Sequence, residues 1–137
     1  MGEDTRNIFK SSRARVKPAI LVVEDQKEIA SILQFAFKRE GFFVFQAADG
    51  KQALKMIEEL PPPKLALFDI MLPYVDGFQL IKTVREKPEW KDVPIIMLSA
   101  KSMEKDIVKA LSSGANDYIT KPFQVNELIA RVKRYLK

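Results

Sequence analysis

The chain alternates short, continuously apolar runs with longer segments in which apolar residues recur every three to four positions. A short unbroken apolar run is typical of a strand that is covered on both faces of a parallel sheet, and the longer spacing is typical of an amphipathic helix. From Pro18 onward this pattern predicts five strand–helix pairs. The predicted strands are 19–24, 42–47, 65–68, 93–98 and 118–120. The predicted helices follow them, with apolar positions spread over 29–37, 53–60, 78–84, 107–111 and 125–136.

Strands that alternate with helices in this way indicate an α/β fold with a doubly wound parallel sheet and helices on both faces. Right-handed crossovers leave few topologies for five strands, and the flavodoxin-like order 2-1-3-4-5 is the one we predict. In that order the first, third, fourth and fifth strands are neighbours, and ligands bind beyond their carboxyl ends.

Three acidic residues lie where two of the predicted strands end: Glu24 and Asp25 at the end of the first, and Asp69 directly after the third. Carboxylates gathered at one edge of a sheet repel one another and favour a hard divalent cation with oxygen ligands, Mg²⁺ above all. Taken singly, such acids have a plain structural alternative, since Asp25 could be the N-cap of a helix that begins near Gln26.

The other two strand ends carry Ser99 and the pair Lys121–Pro122. Acids, a hydroxyl and a lysine at four adjacent strand ends indicate a phosphoryl site. The chain contains no cysteine, and it contains no histidine either. A carboxylate must therefore receive the phosphoryl group, and the donor must be another molecule.

Composition limits the remaining possibilities. The 137 residues fit one domain, which we place at 18–137. Residues 1–17 carry +3 of the total charge of +5, and we expect them to form a basic, disordered N-terminal extension. No recognition motif accompanies that extension, so nucleic acid is not an expected partner. No apolar stretch is long enough to span a membrane and no signal core precedes the domain, so we expect a cytoplasmic protein.

The chain resembles the receiver domain of two-component response regulators, above all the single-domain, chemotaxis-regulator-like members. The resemblance covers residues 18–137. Its motifs are Val23-Glu-Asp25, Phe68-Asp-Ile-Met-Leu-Pro73, Asp76-Gly77, Leu98-Ser-Ala100, Gly114-Ala-Asn-Asp-Tyr118 and Thr120-Lys-Pro-Phe123.

The resemblance implies a role for each motif. Asp69 is the phosphoacceptor, and Lys121 and Ser99 contact the phosphoryl oxygens. Mg²⁺ is held by Glu24, Asp25, Asp69 and the backbone carbonyl of Met71. The peptide bond before Pro122 is cis. Ser99 and Tyr118 form the switch, in which the tyrosine turns inward after phosphorylation.

The resemblance also implies partners. The phosphoryl donor is a sensor histidine kinase or a histidine phosphotransfer protein, and an effector protein binds the face formed by the fourth helix, fifth strand and fifth helix. The protein is then a signalling module that catalyses only its own phosphorylation and dephosphorylation.

Two alternatives belong to other classes. A phosphatase of the haloacid-dehalogenase type also uses an aspartyl nucleophile and Mg²⁺, but it needs an acid two residues later, where this chain has Met71. A receiver-like scaffold that is never phosphorylated usually lacks one of the acids or the lysine, and here all of them are present. An ordinary half-buried aromatic with a solvated hydroxyl is the plain alternative for Tyr118.

Overall fold

The computed structural model describes residues 17–136, so all but Lys17 of the predicted N-terminal extension lies outside the described residues. Its strands are Ala19–Val23 (β1), Phe43–Ala47 (β2), Leu65–Phe68 (β3), Ile95–Ser99 (β4) and Asp117–Thr120 (β5). Its helices are Lys27–Arg39 (α1), Gly50–Glu59 (α2), Gly77–Glu86 (α3), Glu104–Ser112 (α4) and Val125–Arg134 (α5).

The strands form one parallel sheet in the order β2-β1-β3-β4-β5, which confirms the predicted flavodoxin-like topology. In the register between β1 and β3, Val23 is paired with Phe68. The residues that directly follow these two are Glu24 and Asp69. The pairing of the strands therefore places the two acids side by side.

The sheet is covered on both faces, because alternate residues of a strand point to opposite sides. Leu21 and Phe68 belong to the apolar cluster that includes residues of α2, α3 and α4. Val22 and Leu67 belong to the cluster that includes residues of α1 and α5. Both clusters contain fully buried side chains. The buried polar residues Glu24, Asp69 and Ser99 lie instead at the ends of strands.

The predicted boundaries differ from the structure by a few residues, for local reasons. β4 begins at Ile95, two residues after the predicted start, since Pro94 has no N–H to donate to a ladder. β2 begins at Phe43 because the Phe42 N–H donates to the Phe37 carbonyl and so belongs to the end of α1. Gly41 closes that helix with a positive φ of 90°.

The loop from β3 to α3 lies close to the backbone of Asp69. The Gly77 N–H donates to the Ile70 carbonyl, and a Cβ at Gly77 would lie 2.3 Å from the Asp69 carbonyl oxygen. Only glycine permits that approach. Asp76 and Gln79 form a capping box that fixes the first turn of α3, and so the loop is held against the end of β3.

Candidate functional site

Glu24, Asp25 and Asp69 converge at the carboxyl edge of the sheet, as the sequence predicts. One carboxylate oxygen from each lies within 4.8 Å of the others. Glu24 and Asp69 are buried, with 3% and 6% of their surfaces exposed, whereas Asp25 is exposed. Two buried like charges at this separation require positive charge nearby.

Lys121 provides that charge from the end of β5. Its Nζ lies 2.7 Å from Glu24 Oε1 and donates to Asp69 Oδ2 at 2.8 Å. Burial lowers the pKa of Lys121, but its contacts with Asp69 and Glu24 outweigh burial and leave the pKa above its usual value. The Lys121 N–H donates to the Ser99 carbonyl, and the Lys121–Pro122 peptide bond is cis.

Glu24 has a buried side-chain oxygen that makes no directed hydrogen bond within the described residues. Its Oε2 accepts from the Gln26 N–H at 3.1 Å. Its Oε1 is buried beside the Lys121 ammonium, yet it accepts no well-directed hydrogen bond from any residue between 17 and 136. Burial raises the pKa of Glu24, and the contact with Lys121 and the Gln26 N–H only partly oppose that rise. An oxygen in this position, beside two more carboxylates, fits a hard cation that takes oxygen ligands.

Asp69 faces a cleft of about 240 Å³. Its Oδ1 accepts from the Met71 N–H at 3.2 Å, while Oδ2 is bound to Lys121. The cleft is lined by Asp25, Gln26, Asp69, Met71, Ser99, Ala100 and Lys121. The structure therefore brings two of the predicted acids, the hydroxyl and the lysine to one opening.

Tyr118 is more buried than the alternative of an ordinary half-buried aromatic predicts. Its side chain is buried, with 8% exposed, and its hydroxyl donates to the Lys101 carbonyl at 2.6 Å. The interpretation of Tyr118 as a half-buried aromatic with a solvated hydroxyl is thus wrong. Burial raises the pKa of Tyr118, while the nearby Ser99 side chain acts in the opposite direction. The Lys101 N–H donates to Ser99 Oγ at 3.3 Å, so one loop residue contacts both predicted switch side chains.

The structure also corrects the alternative for Asp25, and it adds one residue to the site. Asp25 does not cap α1, because the N-cap residue is Gln26 and it makes no side-chain capping bond. The Gln26 side chain instead accepts from Lys121 Nζ at 3.3 Å. Sequence reasoning missed this contact, and the only signal for it is the position of Gln26 directly after the acidic pair.

No helix within residues 17–136 has the length and apolar character needed to cross a membrane.

Comparisons with known proteins agree with this architecture. The family model described as the response regulator receiver domain matches residues 20–133. The receiver domain of Francisella response regulator 1452 is 37% identical, with a TM-score of 0.80 over 87% of this chain and 96% of that one. The receiver domain of a Pseudomonas aeruginosa sensor histidine kinase, solved with a magnesium ion coordinated in its active site cleft, is 31% identical, with a TM-score of 0.80 over 88% and 98%.

The chemotaxis protein CheY4 of Vibrio cholerae is 26% identical, with a TM-score of 0.82 over 88% of this chain and 100% of that one. Since the family model matches most of the chain, this protein belongs to the response regulator receiver domain family of two-component systems.

Proposed function

We propose that this receiver domain accepts a phosphoryl group from a partner's phosphohistidine onto Asp69, in a reaction that depends on Mg²⁺. The observation that carries the proposal is the buried Asp69 carboxylate, which opens to a cleft shared with Asp25, Ser99 and Lys121. A nucleophile, a cation site and two groups able to contact phosphoryl oxygens are the parts that phosphoryl transfer needs.

Each residue has a distinct part in the proposed reaction. A carboxylate oxygen of Asp69 forms a bond to phosphorus while the bond from phosphorus to the donor imidazole nitrogen breaks. Lys121 supplies a fixed positive charge beside Asp69, and the Ser99 hydroxyl can donate to a phosphoryl oxygen.

Glu24, Asp25 and Asp69 would hold the magnesium ion together with the Met71 carbonyl, and Glu24 Oε1 is a buried oxygen that makes no directed hydrogen bond within the described residues. When bound, the ion would neutralise negative charge that develops on the phosphoryl oxygens. Asp25 is the exposed member of the set, so it is the carboxylate that an incoming ion meets first.

We propose that phosphorylation is read through Ser99 and Tyr118, which both contact Lys101 in the loop between β4 and α4. A change at Ser99 would then alter the face formed by α4, β5 and α5, where an effector protein binds. We propose a sensor histidine kinase or a histidine phosphotransfer protein as the donor, as membership of the receiver family implies. This chain has no histidine, so the phosphohistidine must be on another molecule. The predicted cytoplasmic location stays a prediction.

No observation favours the phosphatase alternative, since an exposed methionine occupies the position of the required acid. The scaffold alternative is not favoured either, because the acids and the lysine lie within contact distance.

An intact-mass measurement after incubation with acetyl phosphate and Mg²⁺ tests the proposal. We expect a gain of one phosphoryl unit that is lost on removal of Mg²⁺ and in Asp69→Asn. The exposed loop residue Asp92 provides the matched control, and Asp92→Asn should be phosphorylated like the parent. A parent protein that gains no mass, or an Asp69→Asn variant that gains as much, would contradict the proposal.

A further inference from the structure

Three oxygens surround the Lys121 ammonium in the described part of the chain. Two are the carboxylate oxygens of Glu24 and Asp69, and the third is Gln26 Oε1 at 3.3 Å. An ammonium group has three N–H donors and no acceptor. These side chains therefore supply one oxygen for each donor, with the Glu24 contact an ion pair rather than a directed hydrogen bond.

Gln26 differs from the other two partners in its charge and in its chemistry. Glu24 and Asp69 belong to the acidic cluster, and Asp69 is the proposed nucleophile, so both would be engaged during the reaction. The amide of Gln26 is neutral, accepts through one oxygen and is a poor competitor for a divalent cation beside three carboxylates. It is the one partner of Lys121 that the chemistry leaves free.

The backbone of Gln26 supports the same arrangement. Its N–H donates to Glu24 Oε2, while its φ of −82° and ψ of 112° are extended and place it before the first turn of α1. Its side chain makes no capping bond and lines the cleft instead. One residue thus contacts both Glu24 and Lys121.

We infer that Gln26 is a positioning residue, whose amide oxygen holds the Lys121 ammonium at the cleft while Asp69 and Glu24 are engaged elsewhere. The inference rests on the proposed function. It assigns a role to the position that follows the acidic pair.

The test is a double-mutant cycle with Gln26→Met and Lys121→Ala. Methionine keeps the length of the side chain and removes the acceptor. We expect Gln26→Met to slow phosphorylation by acetyl phosphate at saturating Mg²⁺ by about threefold to tenfold, the factor that one net hydrogen bond contributes. Gln124 provides the matched control, because it is the exposed N-cap residue of α5 and also lacks a side-chain capping bond. Gln124→Met should leave the rate unchanged.

A second readout is independent of phosphorylation. In urea unfolding without metal, Gln26→Met should lower the midpoint by about 0.5 M. If Gln26 acts through Lys121, that shift disappears in the Lys121→Ala background, whereas a purely structural role would give the same shift in both. Equal shifts in both backgrounds, or no shift together with an unchanged phosphorylation rate, would overturn the inference. A parent that is not phosphorylated would contradict the proposed function instead. The urea-unfolding comparison in the two backgrounds would still test the role of Gln26.

Discussion

At the scale of single residues, the acidic cleft is a site with more negative than positive charge. Three carboxylates, those of Glu24, Asp25 and Asp69, lie close together, and Lys121 forms ion pairs with Glu24 and Asp69. The pKa of Glu24 is raised, first by burial, and the pKa of Lys121 is raised by contacts that outweigh its burial. Both shifts have the same sense, since each favours the protonated form. The cleft is therefore built to attract positive charge, which is the property that a cation site needs.

We predict that Met71 affects how well water reaches a phosphoryl group on Asp69. Its side chain lines the cleft and is 61% exposed. A thioether cannot orient water, so we predict slow intrinsic loss of the aspartyl phosphate. Met71→Asn and Met71→Asp should accelerate that loss several-fold, on the order of 1 kcal/mol in the barrier. The decay is followed by intact mass after the donor is removed.

Met103 offers a control for this prediction, because it has the same 61% exposure but does not line the cleft around Asp69. Met103→Asn should keep the parent lifetime. Identical lifetimes for the parent and both Met71 variants would show that this side chain does not control the approach of water.

At the scale of elements, Arg85 joins parts of the fold that are distant in sequence. From the last turn of α3 its guanidinium donates to the carbonyls of Lys91, Val93 and Gly114. It also donates to Asn116 Oδ1, which accepts from the Ile95 N–H as well. Burial lowers the pKa of Arg85, partly opposed by Asp92. The loops that lead into β4 and β5 are thus fixed to α3, at the ends of these strands opposite Ser99 and Lys121.

We predict that Arg85→Lys destabilises the fold by about 2 kcal/mol, because an ammonium cannot reproduce the planar fork and leaves carbonyl groups without donors. Urea unfolding measures the change, and Arg134→Lys on the exposed end of α5 should be nearly neutral. A change below about 0.5 kcal/mol for Arg85→Lys would contradict this role.

The structure also shows which elements a sequence can predict. The sequence predicts the type and order of all ten strands and helices, because apolar runs and helical spacing are local properties. The convergence of Glu24, Asp69 and Lys121 followed from the order of parallel strands. The contacts of Arg85 with Gly114 and Asn116 join residues 29 and 31 positions apart, and the contact between Gln26 and Lys121 joins residues 95 positions apart. All of these contacts also depend on side-chain direction. The periodicity of apolar residues contains no information about long-range contacts or side-chain direction, so these contacts could not be predicted.

At the scale of the whole molecule, the parallel sheet makes the cleft and the stability of the fold interdependent. The acids follow β1 and β3 at the centre of the sheet, and Lys121 follows β5 at its edge. Any ligand that bridges these strand ends binds the folded chain and has no equivalent in the unfolded one. Cation binding should therefore stabilise the entire domain.

The last prediction tests that coupling with Asp25→Asn. Mg²⁺ at about 100 times its Kd should stabilise the parent by about 2.7 kcal/mol, which appears as a rise in Tm. Asp25→Asn removes one charged ligand, so its rise at the same Mg²⁺ concentration should be smaller. Without metal the variant should be slightly more stable than the parent, because repulsion from Glu24 and Asp69 is relieved; the gain is small since Asp25 is exposed. Glu28→Gln, in the first turn of α1 but outside the cluster, should respond to Mg²⁺ like the parent. An Asp25→Asn variant that Mg²⁺ stabilises as much as the parent would show that this carboxylate does not bind the ion.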